Sequence, residues 1–355
     1  MIAYCIYEAL VCNLISDNGI FEFDLQINSL DHKKEDKYQR YFSYRNLSTH
    51  NLFPVKEIEI PIPYGTVAAK TWGNEKAYPV LALHGWLDNC GTFDKLIPLL
   101  SDKFYYIAID APGQGRSSHQ PPGSIYTDIG MMMHFKRVIE YLGWKKFNIL
   151  GHSLGGIFAL LFSSIFPDLV NKVAVIDVVK PPSTSVDLVP DIKMNGLNQL
   201  MQIEEKLKKT PPIYTEESAI TRLIKGMHGE IDEEGAKTLL KRGAKPSDCG
   251  KGLVFTRDMR FKPIEFISMR SHDTIEHFMS ALRCELLVIL ANKTHPYYFP
   301  EEPETVTRFL DFYAKNIEGF VLEHVEGNHF VHLNNPERVA PIINKFLNTE
   351  KTNKK

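Results

Sequence analysis

The chain has 355 residues, 44% of them hydrophobic and 24% charged, with a formal net charge of −2 at pH 7. This composition fits a globular protein with a large core in one or two domains, and the near-neutral charge argues against nucleic acid or an anionic membrane as main partner. Five cysteines stand singly at Cys5, Cys12, Cys90, Cys249 and Cys284, a pattern that points away from structural zinc or a disulfide framework and toward a reducing compartment.

Taken in order, Met1 to Ile15 is apolar but contains Glu8 and lacks a basic leading segment, which argues against a secretory signal. No stretch is long enough and free enough of charge to span a bilayer. Residues 1–52 have no clear period and include the polar run Asp31 to Lys37, so they read as a poorly ordered N-terminal extension. A first block of core is expected over 53–180. Val55 to Ile62 alternates apolar and polar as a half-exposed strand does, and Thr66 to Trp72 returns as its hairpin partner after Pro63-Tyr64-Gly65. Val80 to Leu83 is a buried strand ending in His84-Gly85-Trp86, and Phe93 to Leu100 is expected as a helix. Tyr105 to Ile109 is the next strand and runs into the glycine-rich turn Asp110 to Ser117, in which Asp110 reads as a brace. Thr127 to Leu142 has helical spacing and closes at Gly143.

Phe147 to Leu150 reads as a buried strand and Ile157 to Phe162 as the opening of a buried helix, with Gly151-His152-Ser153-Leu154-Gly155 between them. Val173 to Ile176 is a further strand. The alternation then stops, and residues 181–280 hold charged amphipathic stretches near Gln199–Lys208, Glu216–Lys225 and Glu233–Arg242, then a helix-like run from Pro263 to Leu282. An insertion of that size predicts a helical cap placed before the penultimate strand. The core resumes over 281–348 with the strand Leu286–Leu290, a helix at Thr305–Lys315, the strand Phe320–Val325 and a last helix capped by Asn335-Pro336, leaving 349–355 as a tail. Strands alternating with helices predict an α/β fold whose mostly parallel sheet is covered on both faces.

The G-x-S-x-G turn is where chemistry concentrates. Between strand and helix it is so sharp that flanking side chains collide, and it holds the serine hydroxyl above the sheet edge. Ser153 is therefore the candidate nucleophile, and it needs a general base. Of thirteen histidines, His329 in Gly327-Asn328-His329-Phe330 follows the last strand, on a loop at the same sheet edge. His324 lies within that strand and His332 near the next turn, where both are expected to pack or face solvent; His84 and His152 sit on segments not free to face Ser153. The base needs a carboxylate to fix its tautomer. The loop after Leu286–Leu290, where an aspartate is commonest, reads Ala291 to Pro300 without an acid. Asp177, at the end of the preceding strand, ranks first, with Glu301 or Glu302 as alternates. The N–H groups of Leu154 and Trp86 are the candidate oxyanion donors, and Trp86, Phe93 and Phe158 the candidate walls of an apolar pocket. No metal-ligand spacing, dinucleotide fingerprint or Walker loop is present, so no metal and no cofactor is expected.

The motifs His84 to Asn89, Asp110 to Ser118, Gly151 to Gly156 and Gly327 to His332 resemble the α/β-hydrolase superfamily over about residues 54–348, and within it the serine hydrolase-like / kraken group. The resemblance implies the α/β-hydrolase fold and a serine hydrolase acting on a small-molecule ester, with a cytoplasmic or, as the alternative, peroxisomal home. The C-terminal residues are not the peroxisomal tripeptide. Ile176-Asp177 is also similar in layout to haloalkane dehalogenases, whose acid follows this same strand; their nucleophilic aspartate is replaced here by Ser153. A ligand-binding member with little turnover, and a thioester, lactone or C–C bond hydrolase, are the other readings that the same residues permit.

Overall fold

The structure, a computed structural model, describes residues 55–298 and 303–349; the expected N-terminal extension, Glu301, Glu302 and nearly all of the tail lie outside the described residues. The first core block contains β1 (Val55–Ile62), β2 (Gly65–Trp72), β3 (Tyr78–Leu83), β4 (Phe104–Ile109), α1 (Asp128–Leu142), β5 (Phe147–His152), α2 (Leu154–Ile165) and β6 (Val170–Ile176). The inserted segment follows with β7 (Ser183–Thr184), α3 (Val189–Leu207), α4 (Glu216–Gly226), α5 (Glu233–Gly243), β8 (Ala244–Pro246), β9 (Leu253–Phe255), α6 (Ile264–Ile267), β10 (Arg270–Ser271) and α7 (His272–Ser280). The second block has β11 (Glu285–Ala291), α8 (Pro303–Asn316), β12 (Val321–Val325), α9 (Val331–Asn334) and α10 (Pro336–Asn348).

Eight strands form one sheet in the order β1-β2-β4-β3-β5-β6-β11-β12. The β1–β2 hairpin is antiparallel and joins β4 antiparallel, while every pairing from β4 to β12 is parallel. Parallel strands need cover on both faces, and side-chain alternation supplies it. In β6, Val173 and Val175 face a core shared with Phe135 of α1, Phe158 and Phe162 of α2 and Phe309 of α8, whereas Ala174 and Ile176 face a second core with Phe93, Ile343 and Phe346. Nearly all of α2 is buried, as its apolar sequence requires. The ends of β3, β5, β6 and β12 deliver His84, Ser153, Asp177 and the loop carrying His329 to the same edge of the sheet, because parallel strands all point one way.

Two expected helices are not continuous. Over Phe93–Leu100 the chain makes two short 3-10 turns, Cys90–Phe93 and Ile97–Leu99, the second with Pro98 at its centre, which has no N–H to continue a helix. The run from Pro263 to Leu282 is interrupted at Ser268–Ser271, where Arg270 forks onto Asp128 at the start of α1 and the hydroxyl of Ser271 accepts the Thr274 N–H to cap a new helix. The Asp110 brace is as expected: its carboxylate accepts the N–H groups of Cys90 and Arg116, both at 2.8 Å, and pairs with Arg242 of α5 at 2.7 Å. Among the described residues, no helix is long and apolar enough to cross a membrane.

Candidate active site

The elbow has the backbone that its glycines predict. A Cβ on Gly155 would meet the Leu83 carbonyl oxygen at 2.0 Å, and one on Gly151 would meet the Gly155 carbonyl oxygen at 2.5 Å. Only glycine lets α2 begin this close to β3. Ser153 takes φ 51°, ψ −120°, a region that costs a non-glycine residue roughly 1–3 kcal/mol. Asp177 (φ 54°) and Leu87 (φ 52°) are strained likewise, and His228 (φ 52°) is the other such non-glycine residue described. Three of the four sit in loops at this one sheet edge, a clustering that marks a site rather than random strain.

His329 and Asp177 meet. The Nδ1 of His329 lies 2.7 Å from Oδ2 of Asp177, and the two residues are 1% and 2% exposed. A carboxylate accepts only, so Nδ1 carries the proton and Nε2 is left with its lone pair. Asp177 is itself held: its Oδ1 accepts the Ala291 N–H at 2.9 Å and its Oδ2 the Thr294 hydroxyl at 2.7 Å. The loop after β11, where an acid is commonest, thus supplies donors to an acid from the neighbouring strand.

Ser153 is linked to this pair through its neighbour. His152 Nε2 donates to the His329 carbonyl at 2.8 Å, and the rings of His152 and His329 are 4.7 Å apart. No hydrogen bond joins the Ser153 hydroxyl to the His329 ring in this structure; such bonds are commonly long in apo sites and tighten on the complex. The Gly85-Trp86 loop lies against the elbow, since a Cβ on Gly85 would stand 3.5 Å from Ser153 Cβ. The N–H groups of Trp86 and Leu154 have no acceptor among the described residues, which leaves both available to a developing oxyanion. The Trp86 indole donates to the Lys262 carbonyl at 3.1 Å and so ties this loop to the inserted segment.

Of the expected pocket walls, Phe158 lines a recess of about 280 Å³, counting its mouth, together with Leu154, Pro181 and Glu265. Phe93 does not: it is fully buried among the second-core residues, 5.8 Å from the His332 ring, because the short 3-10 turn directs it inward. Trp86 is half-buried and packs against the first core. A second recess of about 280 Å³ is lined by Leu87, Asp88 and Arg257 among others.

Three residues that the sequence reading passed over brace the site. Glu230 Oε2 accepts the His329 N–H at 2.7 Å, and its carbonyl accepts from Asn328 and Asn334, both at 2.7 Å. Tyr298 stacks flat on the His329 ring, 4.1 Å away and tilted by 12°. Thr294 holds Asp177. Thr294 and Tyr298 stand in the loop after β11, where an acid is commonest, and carried a positional signal; Glu230, in the inserted segment, carried none.

A family model described as the alpha/beta hydrolase fold matches residues 78–213. A serine hydrolase-like protein of Danio rerio is 35% identical over 312 residues, covering 86% of this chain and 93% of its own. The chain belongs to the serine hydrolase-like group of the α/β-hydrolase superfamily. Serine hydrolase-like protein 2 of Homo sapiens is 34% identical over 82% of this chain and 94% of its own. Among solved structures, a hypothetical protein of Pseudomonas aeruginosa PAO1 superposes with a TM-score of 0.71 at 28% identity, covering 82% of this chain and 97% of that one.

This α/β hydrolase buries several neutral histidines, which sets its acid sensitivity. Burial is the first cause that lowers His84, His134, His152 and His332, with His134 pushed down to about 4 and His332 to about 3. For these groups the unfolded chain takes up more protons once the pH drops below about 6.5, so they cost stability as pH falls. Asp88 and Glu265 act oppositely, since burial raises both to about 7 and the folded state keeps their protons from about pH 7 down to about 4. With His228 and His272 also lowered by burial, the lowered histidines outnumber the two raised carboxyls, so the balance is a loss of stability as pH falls. The urea midpoint should therefore fall between pH 6.5 and 4.5, with His332→Gln flattening the slope; a midpoint constant over that range contradicts this.

Proposed function

We propose that this chain is a serine hydrolase that cleaves carboxylic esters of small or medium apolar substrates through an acyl-enzyme. Ser153 Oγ attacks the carbonyl while Nε2 of His329 takes its proton and later returns it to the leaving alcohol. Asp177 fixes the tautomer of His329 and stabilises the imidazolium that forms. The N–H groups of Trp86 and Leu154 receive the negative oxygen. Residues of the inserted segment act as a cap that screens water, with Trp86 tied to it at the Lys262 carbonyl. The observation that carries this reading is the buried 2.7 Å contact between His329 and Asp177, on a loop tied to the elbow through His152. A cytoplasmic home, with the peroxisome as alternative, follows from group resemblance and the single cysteines.

Release of p-nitrophenol from short-chain p-nitrophenyl esters tests the proposal. The expected result is saturable turnover by the wild type. Thermal stabilisation by an ester analogue with no detectable cleavage would instead favour a ligand-binding member. Turnover confined to thioesters or lactones would move the substrate class and keep the machinery.

A further inference from the structure

The recess beside Leu154 has one feature that apolar substrates do not need. Its walls are mostly Leu154, Ile157, Phe158 and Pro182, yet Glu265 of α6 lines it too. Glu265 has no hydrogen bond or ion pair among the described residues, although burial is strong enough to push its carboxyl up to about 7. The other two charges at the recess, Asp128 and Arg270, satisfy each other in a forked pair, and Arg270 also donates to the Ser268 carbonyl at 3.0 Å. Lys193 donates to the Ile267 carbonyl at 2.7 Å. The half-buried phenol of Tyr297 is held above its ordinary pKa first by burial and then by the Glu265 charge. The Glu265 carboxylate therefore has no counter-charge paired with it among the described residues. A partly buried carboxylate without a partner is costly, and a cation brought to it is correspondingly favoured.

We propose that this recess receives one arm of the substrate and that Glu265 selects arms ending in a protonated amine. This rests on the reading of Ser153 as nucleophile, because Leu154, the next residue in the chain, lines the recess. The apolar walls take the methylenes and the carboxylate takes the ammonium. A neutral carboxyl donating to a substrate oxygen is the rival, and it gives no preference for amines.

The test compares hexylamine with 1-hexanol as ligands at pH 8, by thermal shift and calorimetry, on wild type, Glu265→Gln and Glu265→Leu. The wild type should bind the amine roughly ten- to hundredfold more tightly than the alcohol, the range expected for a charged hydrogen bond, and both variants should lose that preference. Equal binding by the wild type, or a preference that persists in Glu265→Gln, overturns the proposal; if a variant fails to fold, the wild-type comparison still decides. In parallel, kcat/KM for p-nitrophenyl 6-aminohexanoate should exceed that for p-nitrophenyl heptanoate by a similar factor. An amine preference in binding without any ester cleavage would overturn the enzymatic reading and leave a cation pocket. Cleavage of both esters at equal rates would overturn the Glu265 proposal alone.

Discussion

Asp177→Asn should lower kcat/KM for esters by about 10⁴-fold while leaving the thermal midpoint within a few degrees. Asparagine fills the same space and its oxygen can still accept the Ala291 N–H. The amide NH2 would then face Nδ1 of His329 at the position where Oδ2 now lies 2.7 Å away. Two donors do not bond, so the ring turns to the tautomer with its proton on Nε2, and the lone pair proposed to accept the Ser153 proton is gone. The imidazolium formed during attack also loses its counter-charge in a place where Asp177 is 2% exposed and water screens little. The kcat/KM of the variant, read beside its melting curve, checks this. A loss below tenfold would take the acid role from Asp177 and direct attention to Glu301 and Glu302, which Glu301→Gln and Glu302→Gln would then test.

The elbow was legible because its requirements are local: two glycines, a buried strand before and a buried helix after. The placement of Asp177 beside the His329 loop was legible from position, at the end of the strand next to β5 in the sheet. The bonds that hold it were not, because Ala291, at the end of β11, and Thr294, in the loop after it, reach it from more than a hundred residues away in sequence. Glu230 was invisible for the same reason: a glutamate in an amphipathic segment looks solvated until folding sets it against the His329 N–H. The break between α6 and α7 depends on Arg270 finding Asp128, and apolar periodicity contains no term for such a pair. Phe93 shows the opposite limit, since an aromatic residue near a site motif packs into the core as readily as into a pocket wall.

The largest effect is expected at Ser153. Ser153→Ala removes the proposed attacking atom, and loss of a serine nucleophile costs on the order of 10⁶ in kcat. The strained backbone stays in place, because neighbours impose φ 51° through the tight approach of Gly155 to Leu83 rather than through the hydroxyl. Alanine should therefore fold normally while turnover drops to background. The residual rate would report what the Trp86 and Leu154 donors contribute without covalent chemistry.

The most direct measurement is covalent labelling with a fluorophosphonate, with the modified residue located by peptide mass spectrometry. The account predicts one adduct on Ser153, absent in Ser153→Ala and slowed by orders of magnitude in His329→Ala. Equal labelling of wild type and Ser153→Ala, or an adduct on another residue, would contradict it.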